Sequence, residues 1–252
     1  MNVGVKSRSA RKTIRPAGAR TSVRLCLLDG FSLTCGEQTR SLSRGAQRLL
    51  ALLAISDRPL NRAFVSGVLW PDSSERHASA ALRSALWRFS QPDDGPATVM
   101  ASPQTLALAT HVEVDLRDAV AVGTALVSSG SVPEAVDVSM FTSDLLSDWY
   151  EDWAAVARER FRQLRLHALE AMCRLLAANG CTARAVEAGL AAVASEPLRE
   201  SAHRVLIDAH LAEGNVGEAL RQYESFRVLL RDELGVEPSA LMEALISRVR
   251  GR

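Results

Sequence analysis

Between Val23 and Leu108 the hydrophobic period of the chain changes twice, from two to about 3.6 and back to two, and that order restricts the fold more than any other feature. Val23, Leu25 and Leu27 fall at every second position up to the Asp29-Gly30 break, and Phe31, Leu33 and Cys35 do the same up to Gly36-Glu37, which predicts two short strands joined by a turn. Ser43 stands where it can cap a first helix through Arg44, Gln47 and the apolar run Leu49 to Ile55, a segment expected to be buried on most sides. Asp57-Arg58-Pro59 is a turn. Asn61 then caps a second helix with Phe64, Val65, Val68 and Leu69 inward, stopped by Trp70-Pro71-Asp72. Ser73 or Ser74 opens a third helix that runs to about Ser90. Gln91 to Pro96 is a loop, Thr98 to Met100 a strand, Ser102-Pro103-Gln104 a turn, and Thr105 to Leu108 a return strand with Leu106 and Leu108 inward. Strands, three helices and a hairpin are the order of a winged helix.

The third helix carries the functional signal. At about 100° per residue, Ala78, Ser79, Leu82, Ala85, Leu86 and Phe89 share one face, whereas Arg76, Ala80, Arg83, Ser84 and Trp87 share the opposite one, flanked by His77 and Arg88. The outer strip contains no acid. Forked guanidinium donors with small neighbours are what a major groove accepts, because arginine can reach guanine O6 and N7 with two bonds while serine and alanine permit close approach.

Charge is segregated in a way that the net value of +1 conceals. Residues 1–22 hold six basic side chains and no acid, and residues 23–100 hold nine basic against seven acidic; residues 101–145 hold one against six, and residues 146–252 fourteen against sixteen. A basic front half is thus joined to an acidic back half, as in a nucleic-acid module tied to something else. Residues 1–22 show no hydrophobic period and are expected to form a disordered basic tail able to add non-specific phosphate attraction. The same segregation leads to the expectation that the first 100 residues, excised, bind random duplex more tightly than the whole chain.

The remaining classes are narrowed by what is missing. The longest apolar run, Leu49 to Ile55, is far short of the roughly 20 residues of a membrane span, and no signal-peptide core follows the basic start, so a cytoplasmic chain is expected. Cys26, Cys35, Cys173 and Cys181 form no Cys-x-x-Cys pair and read as reduced structural thiols. No P-loop, Rossmann glycine set, nucleophile elbow or His-Glu-x-x-His motif occurs. His203 and His210 lie about 10 Å apart by helical rise, too far for one metal. No catalytic, metal or cofactor site is therefore expected.

Beyond a helix from about Asp115 to Val127 and a loop through Gly130, Ser131 and Pro133, five helices are predicted: Trp149 to Asn179, Thr182 to Ser195, Leu198 to Glu213, Val216 to Leu234 and Ser239 to Arg250. Ala178, Gly180 and Ala185 recur as Ala212, Gly214 and Ala219, each offset by 34 residues, the tetratricopeptide period. Trp153, Tyr223 and Leu234 are expected in the core, Gly214 and Gly235 at turns, and Pro197 and Pro238 at helix starts.

These residues carry a resemblance. Leu69-Trp70-Pro71-Asp72 and Leu82-Arg83-Ser84-Ala85-Leu86-Trp87-Arg88-Phe89 resemble the DNA-binding domain of the Streptomyces antibiotic regulatory proteins, a branch of the OmpR/PhoB-type winged helices. Trp153, Glu159-Arg160, Glu196-Pro197-Leu198-Arg199-Glu200, Gly214, Glu218-Ala219-Leu220, Tyr223, Arg227 and Glu233-Leu234-Gly235-Val236-Glu237-Pro238 resemble the bacterial transcriptional activation domain of the same regulators. Together the resemblances span about residues 23–250. They imply an α+β winged helix-turn-helix over 23–112 followed by an all-α tetratricopeptide-like domain over 113–252. They also imply Arg76, His77, Arg83, Ser84, Trp87 and Arg88 in the major groove, and Arg44, Arg58 and Arg62, near helix starts, on phosphates.

The implied function is a sequence-specific activator of secondary-metabolite genes, cytoplasmic and nucleoid-associated. It would bind short direct repeats in double-stranded promoter DNA, as a homodimer at least on DNA, and recruit RNA polymerase holoenzyme. Larger relatives carry further domains for which residues 1–252 leave no room, so control is expected through level, self-association or a ligand or partner of the helical domain. One departure stands out: no Lys or Arg occurs between Arg88 and Arg117, so the wing lacks the cationic side chain that probes a minor groove. That departure keeps a second expectation open, a tetratricopeptide-type interaction adaptor whose winged helix no longer reads DNA.

Overall fold

A computed structural model describes residues 22–89, 96–130 and 136–250. The basic tail, apart from its last residue, the predicted loop at 91–95 and the segment through Ser131 and Pro133 lie outside the described residues.

Strands β1 (Val23–Cys26) and β2 (Ser32–Cys35) pair antiparallel with Leu25 opposite Leu33, and β3 (Gln38–Thr39) adds to β2. The turn between β1 and β2 uses positive φ at Asp29 (60°) and Gly30 (115°), the conformation that the Asp-Gly pair supplies. Val23, Leu25, Leu27 and Leu33 are fully buried in one core with α1 (Arg44–Ser56), whose Leu49 to Ala54 are buried because the helix packs on α2, α3, β6 and α5. Ser43 occupies the N-cap position without a side-chain hydrogen bond; the Gln47 amide donates to the Leu42 carbonyl instead (3.0 Å).

Three strands escaped the sequence pattern because they are two or three residues long. Besides β3, these are β4 (Leu60–Asn61), which pairs with β6, and β7 (Val112–Val114), which runs parallel to β1 with Val114 opposite Leu25. The wing hairpin, β5 (Val99–Ala101) and β6 (Thr105–Leu108), is therefore the outer part of a three-stranded sheet in the order β4-β6-β5. Leu106 and Leu108 point inward as expected.

Helix α4 (Asp115–Ser129) starts directly from β7. The Asp115 carboxylate accepts the Leu27 and Leu28 amides (2.8 and 3.0 Å) and its own next amide, so it closes the end of β1. Burial outweighs these bonds and pushes the Asp115 carboxyl above its ordinary value. Leu28 bridges to Leu145, the Asp29 amide donates to the Asp144 carbonyl (2.9 Å) and the Leu146 amide to Leu27 (2.8 Å), stitching the segment before α5 to the first sheet. One hydrophobic cluster runs from Val23 through Leu49, Leu126, Trp149 and Leu169 to Ala209. A fragment ending at residue 100 lacks β6, β7 and Asp115, and with them strands that complete both sheets.

Helices α5 (Asp152–Ala178), α6 (Thr182–Ser195), α7 (Glu200–Ala212), α8 (Val216–Leu234) and α9 (Ala240–Arg250) pack successively. The 34-residue offset is structural. Gly180 and Gly214 end their helices at φ 75° and 84°, and Ala185 and Ala219 are both fully buried where paired helices meet. Leu234 departs from expectation: it is 56% exposed, the last residue of α8 before Gly235 turns the chain. Trp149 lies before α5 and not within it, and Trp153 is half-buried, donating to Glu151 (3.0 Å).

His203 is buried between α7 and α8, stacked 4.0 Å from Phe226, with Nε2 donating to the Pro197 carbonyl (2.8 Å) and Nδ1 accepting from the Gln222 amide (2.8 Å). Burial holds this imidazole below its ordinary pKa, so folding favours its neutral form. Unfolded chains bind the proton first as pH falls below about 6.5, so the stability contributed by the neutral ring diminishes below that pH until the folded pKa is passed. His203→Gln should flatten the change in urea midpoint between pH 7 and 5; a profile as steep as that of the unsubstituted chain would assign the dependence elsewhere.

Candidate nucleic-acid interface

The presentation of α3 (Glu75–Trp87) begins with α2 (Arg62–Leu69). Asn61 caps α2 by accepting the Ala63 amide (2.8 Å), and Val65, Ser66 and Leu69 anchor it, while Phe64 is 51% exposed and not inward as its spacing suggested. Trp70 closes α2, the Ser73 amide donates back to the Trp70 carbonyl (3.2 Å), and Ser74 caps α3. The helix ends at Trp87, with Arg88 as its C-cap, short of the expected Ser90.

Ala78, Leu82 and Ala85 bury the inner face of α3. On the other side Arg76, Arg83, Ser84, Trp87 and Arg88 are exposed together, Trp87 at 61%, and Arg83, Ser84, Trp87 and Arg88 line one shallow depression. Ser84 donates its hydroxyl to the Ala80 carbonyl (3.1 Å), which leaves the oxygen as an acceptor on the strip. His77 is committed differently: its Nδ1 bonds the Ser74 hydroxyl (2.8 Å), so the ring sits at the helix start.

The three expected phosphate contacts separate. Arg62 stays beside the wing: its backbone amide donates to the Gln104 carbonyl (3.0 Å), and its Nε is buried with no partner among the described residues. Arg44 stacks 4.0 Å over Trp149 and lies 3.7 Å from Glu151, which also holds Arg48 (2.8 Å). Arg58 lines a cleft formed with α4 and α5. Arg44 and Arg58 therefore face the helical half.

Sequence reasoning missed Glu151 and Asp115, carboxylates that help fasten the winged half to the helices, because neither belongs to a motif. It also gave no warning of Met100, 56% exposed on the wing, where the turn is ordered by Ser102 accepting from Gln104 and Thr105 (3.2 and 2.9 Å). Among the described residues no three His, Cys, Asp or Glu side chains gather as metal ligands, and no helix is long and apolar enough to cross a membrane.

Residues 114–250 match the family described as the bacterial transcriptional activator domain. The chain is 29% identical over 232 residues to the regulatory protein AfsR of Streptomyces coelicolor, covering 88% of this chain and 23% of that protein. It is 38% identical over 82 residues to the transcriptional regulator RedD of the same organism, covering 32% of this chain and 23% of RedD. The chain thus spans less than a quarter of the length of either relative. Mycobacterium tuberculosis EmbR, solved in complex with a low-affinity phosphopeptide, shares the fold with a TM-score of 0.70 at 20% identity, covering 90% of this chain and 65% of that one.

Proposed function

The chain belongs to the bacterial transcriptional activator domain family and is homologous to Streptomyces antibiotic regulatory proteins, and on that footing we propose that it activates transcription by reading double-stranded promoter DNA with α3. The observation that carries this reading is the acid-free exposed strip of Arg76, Arg83, Ser84, Trp87 and Arg88 backed by a buried face. Arg83 and Arg88 offer forked donors to base edges or phosphates, Trp87 offers an apolar surface, and Ser84 offers an acceptor and close approach. Arg62, half-buried next to the wing turn, supplies a cation to a phosphate. In this reading residues 113–252 engage RNA polymerase and support pairing of two copies on direct repeats, and the genes served are those of secondary metabolism.

The wing favours the rival reading, an interaction adaptor, because Met100, Ser102, Pro103 and Gln104 are exposed and uncharged. A salt titration decides between them. A groove reader loses duplex affinity with a slope of about −0.9 in log K against log salt for each phosphate contact made. Measurable affinity at low salt with a steep slope supports DNA binding; absence of affinity at every salt concentration assigns the adaptor.

A further inference from the structure

The end of α1 and the outer faces of α4 and α5 enclose an open cleft of about 480 Å³ whose character differs from that of the α3 strip. Its floor and lips are apolar: Ile55 and Phe161 lie inside, and Val120 and Val156 stand on the edges, 39% and 62% exposed. Arg58 and Arg160 both line it, and among the described residues no acidic one does.

The acids nearest in sequence are committed elsewhere. Asp57, beside Arg58, is held by Arg117 at 2.8 Å, and Glu159, beside Arg160, is held by Arg162 (2.9 Å) and Gln163 (2.8 Å). Neither Arg58 nor Arg160 has an acidic partner among the described residues. Two uncompensated positive groups beside an apolar hollow repel a basic or purely polar occupant and attract an anion with a hydrocarbon body. A volume of this size at the junction of two structural units, mostly apolar with a few convergent polar groups, suits a small molecule.

We propose that this cleft binds a small amphipathic anion, an apolar body carrying one carboxylate or sulfonate, with the anionic group between Arg58 and Arg160 and the body against Ile55, Val120 and Phe161. Such a ligand touches the first helix of the winged half and two helices of the other half at once. Its occupancy is therefore linked to whatever else biases their relative position. The proposal stands whether or not α3 reads DNA.

The test uses the whole chain and two fluorescent probes of similar shape, 8-anilinonaphthalene-1-sulfonate and the uncharged N-phenyl-1-naphthylamine, with decanoate as competitor. The sulfonate probe should bind saturably at one site and be displaced by decanoate. The Arg58→Ala/Arg160→Ala chain should bind it at least tenfold more weakly while holding the neutral probe within threefold. Ala157→Phe, which fills the cleft, should weaken both probes. Circular dichroism showing unchanged folding of each variant keeps the comparison sound. Equal affinity of both probes, equal sulfonate binding by the double variant, or binding untouched by Ala157→Phe would overturn the proposal. So would a concentration-dependent dimer that Val156→Glu abolishes, since the cleft would then hold a second copy of the chain.

Discussion

Trp149→Ala is expected to lower the unfolding free energy by about 3–5 kcal/mol, the cost of deleting a large buried aromatic, and to lower it for both halves in a single transition. Trp149 is 4% exposed, its ring 5.8 Å from Phe31 of the winged half, 6.4 Å edge-on to Trp153 of α5, and capped at 4.0 Å by Arg44 of α1. Removing it opens a void where three elements meet in a cluster that is continuous from Val23 to Ala209. Guanidinium unfolding followed by far-ultraviolet circular dichroism and by tryptophan fluorescence checks this, with Trp87→Ala as the exposed counterpart, expected to change stability by under about 0.5 kcal/mol. Two separated transitions in the unsubstituted chain, or a loss below about 1 kcal/mol for Trp149→Ala, would mean that the halves fold independently.

That packing has a functional consequence. Because Asp115 closes β1, Glu151 holds Arg44 and Arg48, and residues 144–146 bond to Leu27 and Asp29, α3 is carried by a body that includes the acidic helices. The acidic half therefore occupies a set place relative to the arginine strip. Its charge therefore shapes which duplexes can approach α3 along its length.

The parts of the fold that were legible in the sequence are those in which one local pattern and one burial pattern coincide. On α3 the spacing of Leu82 and Ala85 against Arg83, Ser84 and Trp87 predicts both faces correctly because nothing but the core lies on one side and nothing but solvent on the other. The Gly180 and Gly214 turns were legible because a left-handed φ favours glycine and both copies of the repeat end in one. Leu234 and Phe64 were not, since an apolar residue at helical spacing says nothing about whether a partner element reaches it. β4 and β7 were invisible at two and three residues, too short for a period, and exist through pairing with β6 and β1. The placement of Arg44 was illegible for another reason: a cation at a helix start suits a phosphate and an indole equally, and Trp149 lies 105 residues away in the chain.

Arg83→Ala is expected to cost about 1–3 kcal/mol of discrimination between an operator and a scrambled duplex, which is about 5- to 150-fold in relative affinity. Arg83 is exposed near the middle of the α3 strip, one position after the buried Leu82, in a depression shared with Ser84, Trp87 and Arg88, and no described acid pairs with it. Its loss removes two donors from the groove without disturbing the core, so far-ultraviolet circular dichroism should be unchanged. Arg83→Lys separates charge from shape, because lysine keeps the cation and lacks the planar fork; it should recover most of the non-specific affinity and little of the discrimination. Arg62→Ala should behave oppositely, weakening operator and scrambled duplex alike and making the salt slope shallower by about 0.9. Fluorescence anisotropy on a duplex selected from the host genome, with a scrambled control at two salt concentrations, reads all three. Operator preference retained by Arg83→Ala would remove the base contact from this residue, and discrimination retained by Arg83→Lys would show that position 83 contributes charge alone.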